Sequence, residues 1–108
     1  MGDVLKELYR TAVSRREAKR ENSYTCYLFD QGLDKILKKC GEECSEVLIA
    51  AKNGRNGDTV GEISDLLYHL TVLMVFQGIA PEDVEAELDR RSRKAGNLKT
   101  FHKVDRNS

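Results

Sequence analysis

An all-α fold is predicted, a bundle of about four helices built on a helical hairpin, its four-helix core completed by homodimerisation. Three observations lead there. Apolar residues recur at three- and four-residue spacing, with no sustained strand alternation. Two Asn-Gly pairs in "NGRNGD", Asn53 to Asp58, separate the two longest periodic segments. The second of these segments is apolar on nearly every side, which demands more cover than a 108-residue chain readily provides.

The first helix is expected from about Asp3 to Lys19, where Val4, Leu5, Leu8, Ala12 and Val13 form an apolar stripe. "RENSYTCYLFDQG" then breaks the period and is read as a loop anchored by Tyr24, Tyr27, Leu28 and Phe29. A second helix follows from near Asp34 to about Lys52, and the Asn-Gly pairs end it. A β-hairpin also uses Asn-Gly, but the flanking segments are long and lack the period of two. The third helix runs from Thr59 to about Gln77 and closes at Gly78. Pro81 opens a fourth, with acids in its first turn suited to the helix dipole. Residues 1–95 are taken as one domain and 96–108 as a polar tail.

Eighteen basic residues balance eighteen acidic ones, so bulk attraction to nucleic acid or a membrane surface is not expected. The basic clusters "SRREAKRE" and "RRSRK" are read as solvated helix faces. No secretory pattern opens the chain and no uninterrupted apolar run approaches ~20 residues, which points to the cytoplasm. Three cysteines, Cys26, Cys40 and Cys44, fit reduced thiols. Cys40 and Cys44, one turn apart, are read as small buried hydrophobes and not as ligands.

The acids carry the chemistry. On a wheel of about 100° per residue, with Glu42 at zero, Glu46 falls near 40° and Glu43 near 100°. The apolar arc of Ile36, Leu37, Cys40, Cys44, Val47, Leu48 and Ala51 begins just beyond them. These carboxylates border the core face. Glu62 and Asp65 lie on adjacent turns of the next helix. In an antiparallel hairpin, Glu46 and Asp65 stand at comparable heights, roughly 10 Å and 9 Å from the turn. Four converging carboxylates repel one another unless a cation neutralises them, and oxygen ligands favour Mg²⁺, with Mn²⁺ as a substitute. Two plainer readings stay open: a solvated face paired with Lys35, Lys38 and Lys39, and a Thr59-x-x-Glu62 capping box. His69 is expected as a hydrogen-bonded core residue.

The pair Glu43-x-x-Glu46 with Glu62-x-x-Asp65 resembles the signature of the all-α, MazG-like nucleoside triphosphate pyrophosphohydrolases. Within them, "SYTCYLFDQGLDKILKKCGEECSEVLIAAKN" and "EISDLLYHLTVLM" are similar to the phosphoribosyl-ATP pyrophosphohydrolase family of histidine biosynthesis. The likeness covers about Val4 to Leu88. It implies hydrolysis of phosphoribosyl-ATP at the α-β phosphoanhydride, giving phosphoribosyl-AMP and pyrophosphate. It implies metal-binding acids at Glu43, Glu46, Glu62 and Asp65, with Glu42 as an added site carboxylate. Glu42 or Glu46 would take the proton of the attacking water. Lys39 is the leading phosphate contact, with Lys35 and Lys38 behind it. Tyr24, Thr25 and the basic residues near Arg16 are candidates for reading the adenine and the second ribose phosphate. The cyclohydrolase that uses the product is expected on a separate protein. The alternative keeps the site and changes the substrate, to a house-cleaning pyrophosphatase of nucleoside or deoxynucleoside triphosphates.

Overall fold

A computed structural model describes residues 2–94; the expected polar tail lies outside them. The described residues form five helices and no strand: α1 Gly2–Glu17, α2 Tyr24–Gln31, α3 Leu33–Asn53, α4 Asn56–Gln77 and α5 Pro81–Ser92. The all-α expectation holds, with one helix more than anticipated.

The extra helix is α2, where a loop was expected. Eight residues rich in aromatics make a poor helix in isolation, and their stability comes from packing. Ser23 caps the start by accepting a hydrogen bond from the Cys26 N–H at 3.2 Å. Leu28 and Cys26 are buried beneath it, and Gly32, at φ +90°, turns the chain directly into α3.

The hairpin of α3 and α4 is the frame of the molecule. Its turn is shorter than the two Asn-Gly pairs suggested. Gly54 ends α3 in the left-handed conformation, and α4 starts at Asn56, so the second pair forms the first turn of the helix. Thr59 therefore lies inside α4, where its hydroxyl donates to the Arg55 carbonyl at 3.3 Å. It caps nothing, and the capping-box explanation of Glu62 falls away.

Helix α4 ends in a Schellman arrangement. The Ile79 N–H donates to Met74 at 2.8 Å and the Gly78 N–H to Val75 at 3.2 Å. Arg16 reinforces that end from α1, with Nη1 2.6 Å from the Val75 carbonyl and its guanidinium near the rings of Phe29 and Phe76. Pro81 then starts α5, and the Asp83 carboxylate accepts from the Ala80 N–H at 3.2 Å.

Leu28, Ile36 and Val72 are fully buried and join α2, α3 and α4, with Phe29, Cys40, Tyr68, Leu73 and Phe76 around them. By length and composition α4 reaches what a membrane-spanning helix needs, although polar residues interrupt its apolar run. In this fold it is the central helix, packed against α1, α2 and α3. The apolar arc of α3 is only half covered. Ile36 is buried and Val47 partly so, while Leu37, Leu48 and Ala51 are exposed. Cys44 is exposed as well, contrary to the expectation of a buried thiol, because that part of the arc extends past the edge of α4.

Candidate metal centre

The short turn sets the register of the acids. Counting at ~1.5 Å per residue, Asp65 stands roughly 14 Å along α4, level with Glu43 at roughly 15 Å from the end of α3; Glu62 stands level with Glu46. An α4 beginning at Thr59 would have set Asp65 opposite Glu46 instead. One carboxylate oxygen from each of Glu43, Glu62 and Asp65 lies within 4.8 Å of the others. Glu43 is buried at 6% exposure, Glu62 is half-buried and Asp65 is exposed, so the cluster opens from the hairpin seam toward solvent.

Glu46 stands outside that triad, at its edge. With Glu62 and Asp58 it lines an open cavity of about 280 Å³, shared with Ile49, Ala50 and Asn53. Asp58 was not singled out in the sequence. It precedes Glu62 by one helical turn, a spacing that becomes informative only once α4 is known to begin before it. Its carboxylate pairs with Arg55 at 3.2 Å.

The field in the cluster is negative. Glu62 is pushed above its ordinary carboxylate range, first by desolvation and then by the charges of Glu46, Asp65 and Glu43. One cation moderates it. Lys39 holds its ammonium 3.2 Å from Glu42 and 3.6 Å from Glu43, and the hydrogen bond to Glu42 is the main reason its pKa is raised. Lys35 instead lies 5.8 Å over the ring of Tyr27. Lys38 is exposed.

His69 occupies the place expected of a structural histidine, buried at 5% exposure. Its Nδ1 lies 2.8 Å from the Asp65 carbonyl, which can only accept, so Nδ1 carries the proton. Nε2 then accepts from the Tyr24 hydroxyl at 3.0 Å. Both ring nitrogens are committed, which leaves the cluster an all-oxygen set. Thr25 bonds to the Tyr68 hydroxyl, and Arg16 donates to the Val75 carbonyl at the end of α4. Three carboxylates with no nitrogen or thiolate donor fit a hard divalent cation.

Residues 5–92 match the family model described as phosphoribosyl-ATP pyrophosphohydrolase. The chain is 56% identical over 92 residues to the phosphoribosyl-ATP pyrophosphatase of Pelotomaculum thermopropionicum, covering 85% of this chain and 94% of that one. It is 52% identical over 95 residues to the enzyme of the same name from Streptococcus thermophilus, covering 88% of this chain and 91% of that one. Against a histidine biosynthesis bifunctional protein of Lactococcus lactis it is 50% identical over 100 residues, 93% of this chain but 47% of that longer one. With the helical fold and the paired acids in place, these likenesses identify the chain as a member of the phosphoribosyl-ATP pyrophosphohydrolase family.

Proposed function

We infer that this chain hydrolyses phosphoribosyl-ATP, breaking the anhydride between the α and β phosphates to release phosphoribosyl-AMP and pyrophosphate. The observation that carries the reading is the convergence of Glu43, Glu62 and Asp65 across the α3–α4 seam in a chain of this family.

Glu43, Glu62 and Asp65 would hold Mg²⁺, or Mn²⁺ in its place, with Glu46 at the open edge as a fourth carboxylate. When bound, such a cation offsets charge on the phosphate oxygens and on the departing pyrophosphate. Glu46 is the better placed of the two candidate bases. It faces the cavity beside Glu62, whereas Glu42 is engaged with Lys39. Lys39 serves twice, balancing Glu43 before substrate arrives and meeting a phosphate once the acids are otherwise neutralised. Lys35 and Lys38 extend the basic side of the same helix.

The active form is a homodimer in this reading. Leu48 and Ile49 on α3 and Val60 and Ile63 on α4 are between 42% and 67% exposed. The groove of α1, α4 and α5 adds an open apolar cleft of about 320 Å³. A second copy offers the cover that one chain does not. The enzyme acts in the cytoplasm, away from nucleic acid and membranes, and a cyclohydrolase takes up its product.

The test is pyrophosphate release from phosphoribosyl-ATP with Mg²⁺, run beside a panel of deoxynucleoside triphosphates. Selective release from phosphoribosyl-ATP is expected. Release from the deoxynucleotides alone would move the protein to the house-cleaning alternative.

A further inference from the structure

Two tyrosines remain unexplained. Tyr24 and Tyr27, one turn apart on α2, are 44% and 43% exposed. Their ring centroids are 6.0 Å apart with planes within 25°, and Tyr68 continues the series behind Tyr24 at 6.2 Å and 28°. Aromatic rings contribute most when covered, so two half-open rings in one stacked series are suited to receive a further flat partner.

The platform is fixed and it adjoins the acids. Tyr24 cannot turn freely, because its hydroxyl is bound to His69, whose other nitrogen is bound to the backbone of Asp65. The ring is thus held one imidazole away from the backbone carbonyl of Asp65, a residue of the acid cluster. A pre-set ring gives up little freedom when it receives a ligand. Tyr27 lies one turn further along α2, and the Lys35 ammonium stands 5.8 Å from its ring centroid. Among the described residues, Lys35 has no carboxylate within ion-pair distance.

We propose that Tyr24 and Tyr27 are the surface on which the purine ring of the substrate stacks, and that Lys35 receives the phosphate of the extra phosphoribosyl group. The inference rests on the substrate reading above and assigns its two unread parts. A purine offers a flat π-face, and stacking on aromatic side chains is the common means of holding one without reading its edges. The extra ribose phosphate leaves the base away from the triphosphate, so a cation is needed beyond the base, and Lys35 stands at the Tyr27 end of the platform. An ordinary deoxynucleoside triphosphate has no group for Lys35, which gives the site a means of preferring the larger substrate.

Tyr27 makes no side-chain hydrogen bond among the described residues and is exposed, so its replacement spares the fold. The experiment is calorimetric binding of AMP and of inorganic tripolyphosphate, each with Mg²⁺, to the wild type, Tyr27→Ala and Tyr27→Phe. Tyr27→Ala is expected to weaken AMP roughly 5- to 100-fold, Tyr27→Phe to restore it, and tripolyphosphate to bind all three alike. Lys35→Gln is expected to raise KM for phosphoribosyl-ATP while AMP affinity holds. Unchanged AMP affinity in Tyr27→Ala would overturn the platform, as would equal loss of both ligands with a change in sedimentation, which would make Tyr27 a contact between copies. An unchanged KM in Lys35→Gln would overturn its phosphate role. Failure of the wild type to hydrolyse phosphoribosyl-ATP would remove the substrate reading and leave the AMP result standing by itself.

Discussion

Lys39 and Glu43, one turn apart on α3, bring an ammonium to 3.6 Å from a carboxylate that is almost wholly buried. A buried carboxylate near other acids requires a cation, and in the metal-free protein Lys39 is that cation. Replacing it with glutamine is expected to destabilise the metal-free protein by about 1–3 kcal/mol. Most of that loss should vanish when Mg²⁺ is added, which thermal melts with and without chelator can read. Equal losses in both conditions would show that Lys39 does not balance the site.

Divalent cations should stabilise the wild type. A ligand at 100 times its dissociation constant adds about 2.7 kcal/mol to a folded state that alone binds it, on the order of 10 °C for a domain of this size. Mg²⁺ and Mn²⁺ are each expected to raise Tm, and Glu43→Gln to lose most of the rise. A melting temperature indifferent to both ions would argue against the metal centre.

Glu62 sets the sign of a pH dependence. Its folded pKa is raised above 4.5, so the folded state holds its proton more tightly than the unfolded chain does. Its contribution is fully present below that value and is lost as pH rises through the elevated one. In metal-free protein, Glu62→Gln should therefore gain stability relative to the wild type as pH rises across that window. Melts in chelator at successive pH values check this; a pH-independent difference would contradict it.

Oligomeric state is the next check. Sedimentation should give twice the 12.2 kDa chain mass, and Ile49→Asp with Val60→Asp should shift it toward the monomer. A wild type that stays monomeric at working concentrations would refute the dimer.

Much of this was legible in the chain. Glu43, Glu62 and Asp65 could be assigned to facing helices because helical periodicity fixes which side a residue occupies, and His69 could be recognised as structural from its apolar surroundings. Register was not legible. Whether α4 begins at Asn56 or Thr59 depends on one turn residue in the left-handed conformation, yet it decides whether Asp65 meets Glu43 or Glu46. Helix α2 was hidden for another reason. Eight residues give periodicity little room, and the interactions that make the segment helical, with Val72 and Tyr68 of α4, are distant in sequence. The bond from Arg16 to the end of α4 was hidden likewise: nothing local marks an arginine that meets a helix end fifty-nine residues away.

The most direct test of the acid cluster is the rate of pyrophosphate release from phosphoribosyl-ATP by Asp65→Asn and Glu46→Gln beside the wild type, with far-ultraviolet circular dichroism on each. Asp65 is exposed and Glu46 sits at the rim, so neither change should disturb the helices. A fall of at least about 100-fold in each, with helical content intact, is the expected result. Release at the wild-type rate from either variant would contradict the site, because the chemistry would then be proceeding without one of its carboxylates.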